Sequence, residues 1–377
     1  MSEHQYVAFR AIDGPVNDKN LKYMQRQSSR AQITRWSFEN EYHFGDFRGN
    51  AIEMLQRGYE IHLHYANYGI RNLYIRLPNG FPDSKAARPY IADESMQLVK
   101  DKKGRGATLV IQPFYEPGDL NELWDLSEML ERLIPLRSEL LDGDLRPLYL
   151  AHLAICRDGD HDPEETPEAP VPAGLQEPTD AQLALADLYE ISEALIAAAA
   201  QNSAPLPSSD DVTTQYGQWL SGQAESTKDE WLVRLLSDPS LSVRTEILTE
   251  FRKYQHKPTW PTDRAERTIA QLEAVADEIQ QAADKKAAAK AARARAKKLA
   301  NMAADPKPYL RKTEQLVAER SIDAYRQVSE LLAELREALT DSDQSGLAER
   351  QARKLKDKNP TLRHLTAALR REGFVPK

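Results

Sequence analysis

Tyr6-Val7-Ala8-Phe9-Arg10-Ala11-Ile12-Asp13-Gly14-Pro15, at residues 6–15, is the stretch that decides the fold of the N-terminal part of the chain. Its first seven residues are mostly apolar and aromatic, which indicates a β-strand, and Asp13-Gly14-Pro15 is a turn signal that ends it. Asp18 is then placed to cap a helix that runs through Leu21 and Met24. A strand followed at once by a helix indicates a sheet with helices packed against it.

Similar signals continue to about residue 118. A helix is predicted over Ala51 to Tyr68, where apolar residues recur near helical spacing and Gly69 is placed to end the helix. Further strands are predicted at Ala31 to Thr34, Asn72 to Leu77, Ser95 to Lys100 and Ala107 to Pro113. The sequence therefore predicts an α+β sandwich domain over residues 1–118, a small sheet with two helices.

From Asn121 onward the apolar residues follow helical spacing instead. We predict a helical bridge over residues 119–157, an acidic and proline-rich connection over 158–178, a helical domain over 179–260, and long amphipathic or basic helices over 261–377. The connection is expected to run extended over the surface, because Asp, Glu and Pro cannot build a core. A long basic helix is expected from Asp263 to about Met302.

The net charge of −8 is divided between two blocks of opposite sign. Residues 285–377 hold 22 Lys and Arg against 12 Asp and Glu, a net of +10, whereas residues 1–284 hold 28 against 46, a net of −18. Basic helices attached to an acidic body predict docking to nucleic-acid phosphates, to an acidic protein partner, or to the body itself. The sequence therefore favours a non-enzymatic interaction or assembly protein.

The basic residues expected to make this contact form two groups. The first is Lys285, Lys286, Lys290, Arg293, Arg295, Lys297 and Lys298; the second is Arg353, Lys354, Arg363, Arg370 and Arg371. The second group is expected on two short helices hinged at Asn359-Pro360. Because Leu362, Leu365 and Leu369 also fit a seam with the protein's own body, nucleic acid and a protein surface both remain open as partners.

The alternative function is an enzyme, with a site in the stretch Trp36 to Asn50, which is predicted as an irregular loop. This stretch joins five aromatic residues to the candidate catalytic residues Glu39, Glu41, His43 and Asp46. A carboxylate near an imidazole can transfer protons or ligate a metal, so one form of this enzyme is a metal-assisted hydrolase. The other interpretation is a lid over a small core, with the acids capping the next helix.

His62-Leu63-His64 is a further candidate, and its meaning depends on secondary structure. In the predicted helix the two imidazoles point apart and would not chelate one metal. In a strand they would share a face, and Glu60 or His43 could supply a third ligand. A third idea is that the sheet stacks nucleic-acid bases, which requires Tyr6, Phe9 and Tyr74 to share an exposed face.

Several protein classes are excluded by what the sequence lacks. It contains no Gly-x-Ser-x-Gly elbow, phosphate loop, His-Glu-x-x-His motif or dinucleotide fingerprint. The calcium-loop pattern that starts at Asp158 fails at Pro163, where a glycine is needed. The single cysteine, Cys156, excludes an intrachain disulfide and a multi-cysteine zinc site.

The chain carries neither a signal-peptide pattern at its start nor an apolar run of roughly 20 residues. We therefore expect a cytoplasmic protein with no membrane contact. From the missing motifs we expect no metal and no cofactor.

Some short segments in the first half of the chain are distinctive. They are Tyr6-Val7-Ala8-Phe9-Arg10-Ala11-Ile12-Asp13-Gly14-Pro15, Glu39-Asn40-Glu41-Tyr42-His43-Phe44-Gly45-Asp46-Phe47-Arg48-Gly49, His64-Tyr65-Ala66-Asn67-Tyr68-Gly69, Asp144-Leu145-Arg146-Pro147-Leu148-Tyr149-Leu150 and Pro170-Val171-Pro172-Ala173-Gly174-Leu175. Together they resemble a widespread bacterial family of uncharacterised proteins, over roughly residues 5–205. The resemblance implies a bacterial, cytoplasmic origin and carries no activity, ligand or catalytic residue to this chain.

Overall fold

A computed structural model describes residues 3–43, 45–78, 87–91, 94–101, 106–157, 161–206, 209–237, 242–254, 267–340 and 342–376. The chain divides into two compact units, Met1–Gln280 and Gln281–Lys377. The first contains an antiparallel sheet with helices, and the second is helical. The predicted fold class is therefore confirmed: an α+β N-terminal domain followed by a mostly helical region with a long helix. The finer domain boundaries stay predictions.

The sheet of the first unit has seven strands in the order β2-β3-β1-β4-β5-β7-β6. They are β1 (Gln5–Arg10), β2 (Gln32–Ile33), β3 (Ser37–Tyr42), β4 (Ile61–Ala66), β5 (Ile70–Pro78), β6 (Met96–Lys100) and β7 (Gly106–Ile111). All neighbouring strands are antiparallel. Two short helices, α1 (Asp18–Met24) and α2 (Ala51–Gln56), lie between the first strands along the chain.

The two faces of the sheet belong to separate apolar cores, because side chains alternate along a strand. Val7 and Phe9 of β1 pack on one face with Met24 of α1 and Met54 of α2. Tyr6 and Ala8 of the same strand face the larger core, which the later helices fill with leucines such as Leu130, Leu148 and Leu185. The groove described below opens on this second face.

The helices of the first unit that follow the sheet are α3 (Leu126–Leu133), α4 (Leu136–Leu141), α5 (Arg146–Ile155), α6 (Asp180–Leu188), α7 (Glu193–Ala200), α8 (Ser209–Ser221), α9 (Glu225–Ser237) and α10 (Ser242–Tyr254). The long helix α11 (Ile269–Ala304) contributes Ile269, Leu272 and Ala276 to the larger core. Its expected start at Asp263 lies outside the described residues. No helix in the described part of the chain is long and apolar enough to cross a membrane.

The predicted helix over Ala51 to Tyr68 is wrong in its second half. Helix α2 ends at Gln56, and Gly58 adopts a φ of 133°, a left-handed conformation that a helix does not accept. Strand β4 begins three residues later at Ile61. The irregular loop predicted over Trp36 to Asn50 is also wrong in part, because its residues 37–42 form β3. The cap of α1 is Asn17 rather than Asp18.

The expectation that the whole connection 158–178 runs over the surface is wrong for its second half. Ala169, Val171 and Leu175 are buried in the larger core. The acids are concentrated before residue 169, so the average composition conceals an apolar stretch after it. Pro170 and Pro172 have no backbone N–H, which lowers the number of donors that burial leaves unsatisfied.

The second unit contains the end of α11 with α12 (Lys307–Ala318), α13 (Ile322–Ala338), α14 (Leu347–Lys358) and α15 (Arg363–Arg371). Their apolar faces enclose a core that includes Met302, Val328, Leu332 and Leu365. Arg320, whose φ of 52° is left-handed, lies between α12 and α13. The hinge predicted at Asn359-Pro360 is confirmed, since it separates α14 from α15.

Candidate functional site

A groove of about 770 Å³ opens in the first unit where the chain enters β1 and leaves β3. Because β1 and β3 are antiparallel, His4 before one strand and His43 after the other meet at the same edge of the sheet. The segment that leads into α3 forms the other side. We call this the acidic groove; it is lined by His4, Tyr6, Glu39, Glu41, His43, Tyr65, Asn67, Glu122, Leu123, Trp124, Asp125, Leu126 and Ser127.

Three of the four candidate catalytic residues line the acidic groove. Glu39 and Glu41 point from β3 to the same face as Tyr6, because they are cross-strand neighbours at alternate positions. The Glu41 carboxylate lies 3.8 Å from His4 Nε2 and 4.0 Å from His43 Nε2. The two imidazole rings stack with centroids 5.4 Å apart. The structure therefore places one carboxylate beside two imidazoles.

Glu39 has a cationic partner behind the groove. Its Oε2 accepts a hydrogen bond of 2.8 Å from Arg10 Nη2, and Arg10 Nε donates to Glu131 Oε1 at 2.6 Å. Arg10 is largely enclosed, with 12% of its side chain exposed. Hydrogen bonds to both carboxylates raise the pKa of Arg10 against the opposing effect of burial. Glu39 is thus a neutralised carboxylate, whereas Glu41 remains without a Lys or Arg partner among the described residues.

Tyr6 forms the floor of the groove and is 2% exposed. Its hydroxyl lies near Ser127 and Glu39, but it completes no hydrogen bond of ordinary geometry with any described residue. Burial, together with the nearby Glu39 carboxylate, raises the pKa of Tyr6 to about 12. The phenol is therefore neutral at physiological pH and offers both a donor and an acceptor.

Asp46, the fourth candidate, is not part of the acidic groove. Its Oδ1 accepts a 2.8 Å hydrogen bond from Gln5 Nε2, and Gln5 Oε1 accepts in turn from His64 Nε2 at 3.1 Å. Gln5 and His64 belong to the opposite face of the sheet from Glu39 and Glu41. The structure therefore separates Asp46 from the other three candidates.

His62 and His64 lie on a strand, so the interpretation in which both share a face is the correct one. His62 is buried against Phe9, with ring centroids 3.9 Å apart, and its Nδ1 donates to the Ala8 carbonyl oxygen at 2.9 Å. Burial lowers the pKa of His62 to about 3 and that of His64 to about 4. His62 therefore stays neutral and acts as a packed core residue.

A metal site is not formed by these candidates. No group of three His, Cys, Asp or Glu side chains within the described ranges is arranged to hold a metal ion. Residues 158–160, at the start of the rejected calcium loop, lie outside those ranges. The enzyme alternative stays a prediction, since its candidates converge only in part.

The base-stacking idea is wrong for this sheet. Tyr6 and Phe9 are 2% and 0% exposed and lie on opposite faces. They cannot present a common stacking surface to nucleic acid, because helices or loops cover both faces at these positions.

The basic residues of the second unit divide into paired and unpaired cations. Arg295 Nη2 donates to Glu337 at 2.7 Å, Lys298 Nζ donates to Glu334 at 2.6 Å, and Lys354 Nζ donates to Glu314 at 2.8 Å. The hydrogen bond from Lys354 lowers the pKa of Glu314. These ion pairs connect α11 with α13 and α12 with α14.

Four other cations of α11 form a separate surface, which we call the basic stripe: Lys286, Lys290, Arg293 and Lys297. All four are exposed, and none forms an ion pair with a described residue. Their spacing of four, three and four residues places them on one face of the helix. Arg295 lies about 180° around the helix from Lys286, because each residue turns the helix by about 100°.

The remaining predicted cations are exposed but spread over three helices. Lys285 begins the basic segment of α11, Arg353 lies on α14, and Arg363 and Arg371 lie at the two ends of α15. Arg370 Nε donates to the Pro376 carbonyl oxygen at 3.1 Å. All of these residues lie within the second unit.

The fold and these surfaces define an α+β protein with a second, helical unit. Comparison of the chain with protein-family models, with curated proteins and with solved structures gave no match.

The sequence did not predict the side of the acidic groove that is formed by the segment leading into α3. Glu122, Trp124 and Asp125 lie roughly 80 residues from Glu41 along the chain, and no local motif connects them. Trp124 is 77% exposed and Asp125 has a left-handed φ of 53°. A tryptophan beside acids in an otherwise helical region was the available signal.

Proposed function

We propose that this protein is a non-enzymatic interaction protein whose C-terminal unit binds the phosphate backbone of nucleic acid through the basic stripe of α11. The observation that carries the proposal is the separation of cations on one helix. Arg295 and Lys298 form ion pairs with α13, whereas none of the four stripe cations forms an ion pair with a described residue.

The stripe has dimensions that suit a phosphate backbone. From Lys286 to Lys297 the helix rises about 16 Å, at about 1.5 Å per residue. Duplex DNA carries one negative charge per about 1.7 Å of its axis, so several phosphates lie within reach of four cations. The absence of acids from Lys285 to Lys298 leaves this attraction unopposed along the segment.

The side chains between the cations favour nucleic acid over an acidic protein. Residues 287–289, 291–292, 294 and 296 are all alanine and exposed. A protein interface usually needs a buried core with aromatic or other large anchors, which this face does not offer. Phosphate binding needs only positioned charge and gives no base readout, so the proposed contact is independent of sequence.

The test uses two double variants of the full chain with the same change of charge. Lys290→Gln with Arg293→Gln removes two stripe cations, and Arg295→Gln with Lys298→Gln removes two paired cations from the same helix. Binding to a fluorescent DNA duplex of mixed sequence is measured at low salt. We expect the stripe variant to bind several-fold more weakly than the paired variant, with equal helix content in both.

Two results would overturn the proposal. One is wild-type protein that does not bind the duplex at low salt. The other is competition by polyglutamate as effective as competition by unlabelled DNA, because that result would indicate an acidic protein as the partner.

A further inference from the structure

The acidic groove has the composition of a binding site for an organic cation. Its described lining includes four carboxylates, Glu39, Glu41, Glu122 and Asp125, and no Lys or Arg. Only Glu39 is neutralised by a guanidinium, that of Arg10. Glu122 and Asp125 form no ion pair with a described residue. Glu41 lies beside the imidazoles of His4 and His43, at 3.8 and 4.0 Å, and has no Lys or Arg partner among the described residues. A concave surface with an excess of carboxylates focuses its field on a ligand of the opposite sign.

The carboxylates lie on two separate elements with apolar surface between them. Glu41 projects from β3, whereas Glu122 and Asp125 belong to the segment before α3. Between these elements the groove has a buried floor that includes Tyr65 and Leu126. The groove thus has carboxylates on both sides of an apolar floor. This arrangement matches a ligand with two ammonium groups joined by a hydrocarbon chain.

The unpaired Tyr6 hydroxyl is an independent sign of a ligand. It is buried at the floor of the groove and has no completed hydrogen bond, which is unfavourable for a polar group that water cannot reach. A ligand in the groove that donates to this oxygen would complete its hydrogen bonding. The same ligand would meet the exposed ring of Trp124 at the rim, and aromatic rings attract alkylammonium groups.

We propose that the acidic groove binds a linear aliphatic diamine or polyamine. A divalent metal is the less suitable ligand, because no three ligating side chains within the described residues are placed to hold one. The volume of about 770 Å³ also suits a small organic molecule. The ammonium groups lie against Glu41 on one side and Asp125 on the other, with the chain over Tyr65.

Hydrogen bonds hold in place the segment that leads into α3 and carries Glu122 and Asp125. Tyr65 Oη accepts a 3.0 Å hydrogen bond from the Leu123 backbone N–H, and Asn121 binds Glu190 through both its backbone N–H and its side chain. Asp125 is the residue before α3 and adopts a left-handed conformation without capping the helix through its side chain. Its carboxylate is therefore not used by the helix.

The experiment is calorimetric titration of the full chain with spermidine and putrescine, beside butylamine and butanediol. We expect one site per chain, tighter binding of spermidine than of butylamine, and no heat from butanediol. Glu41→Gln with Asp125→Asn should weaken spermidine binding by roughly tenfold or more, since two charge contacts are lost. Glu128→Gln, an exposed acid of α3 outside the groove, should bind as the wild type does.

Tyr6→Phe separates a ligand role from a structural one. Since the hydroxyl has no completed hydrogen bond in the free protein, its removal should leave the unfolding temperature unchanged or raised while weakening spermidine binding. A lower unfolding temperature with unchanged binding would overturn the role of Tyr6. Equal loss of binding in Glu128→Gln, equal displacement of spermidine by Mg²⁺, or tighter binding of a trilysine peptide would overturn the assignment to small amines.

Discussion

Arg295 on α11 and Glu337 on α13 form a hydrogen-bonded ion pair of 2.7 Å, so Arg295 lies on the side of α11 that faces its own unit. Glu337 raises the pKa of Arg295, chiefly through that hydrogen bond. The pair is exposed, with 66% and 48% of the two side chains accessible. The basic stripe lies on the opposite side of the helix and has no such partner among the described residues.

The first prediction concerns the stability of this exposed pair. Replacement of Arg295 by Gln should leave the midpoint of chemical unfolding nearly unchanged, because exposed ion pairs are screened by water and salt. Unfolding followed by circular dichroism in urea tests this. A large fall in the midpoint would mean that the pair is structural and that the paired variant is not a fair control for DNA binding.

The second prediction concerns Arg137, which is buried. Its two terminal nitrogens donate to both oxygens of Asp13 at 2.8 and 2.7 Å, and its Nε donates to the Arg76 carbonyl oxygen at 2.8 Å. Arg137→Met should lower the free energy of unfolding by roughly 3 kcal/mol, because Asp13 is left without its partner.

Arg132→Met is the matched control for that change. Arg132 pairs with Asp187 at 3.0 Å, but both side chains are exposed, so the loss should be below about 1 kcal/mol. Urea titrations of the two variants compare them directly. Equal losses would show that burial does not distinguish the two ion pairs.

The third prediction is a dependence of stability on pH that comes from Glu60. This carboxyl is 5% exposed, and burial raises its pKa to about 7 although the Ile12 N–H donates to it at 2.6 Å. The folded protein therefore holds the proton more tightly than the unfolded chain, whose Glu has a pKa near 4.5. The contribution of Glu60 to the free energy of unfolding is fully present below pH 4.5. It is lost as pH rises towards 7, by about 3 kcal/mol in all.

Glu60→Gln should remove this loss, because the amide does not ionise. Unfolding free energies of wild type and variant, measured from pH 4.5 to 8, give the test. Parallel curves for the two proteins would contradict the raised pKa of Glu60.

The fourth prediction has the opposite sign and concerns His62. Its pKa of about 3 lies below the 6.5 of an unfolded histidine, so the unfolded chain binds a proton first as pH falls. Stability from neutral His62 is complete above pH 6.5 and is lost as pH falls towards 3. In the wild type this loss overlaps with the gain from Glu60, and the two partly cancel between pH 4.5 and 6.5.

His62→Asn should remove the contribution of His62 that opposes that of Glu60, because the side-chain amide is neutral and retains a donor for the Ala8 carbonyl oxygen. His64, with a pKa of about 4, still opposes Glu60 in both proteins and does not change the comparison. In this variant stability should fall more steeply with rising pH than in the wild type over that range. An unchanged slope would show that His62 does not titrate as its burial implies.

The sequence predicted the fold where local signals were sufficient. The apolar run that starts at Tyr6 and the turn at Asp13 indicated β1, and the leucine stripes indicated the helices. The prediction of one helix over Ala51 to Tyr68 was wrong, because apolar residues at helical spacing also fit a short helix followed by a half-buried strand. Only pairing with β1 and β5 decides between these two structures.

The candidate sites were predictable to a similar extent. Composition located the basic segment of α11, but it could not tell Arg293 from Arg295, since the difference is set by glutamates of α13 some 40 residues later. Glu41 and His43 were recognised from their own stretch. Trp124 and Asp125 were not, because long-range packing of the segment before α3 brings them to the groove.

The measurement that tests the central claim most directly is the salt dependence of DNA binding by the full chain. Each phosphate contact changes the slope of log K against log salt by about 0.9. Relative to the wild type, Lys290→Gln with Arg293→Gln should reduce the slope by about 2, while Arg295→Gln with Lys298→Gln should leave it nearly unchanged. The same slope in all three proteins would contradict phosphate binding by the basic stripe.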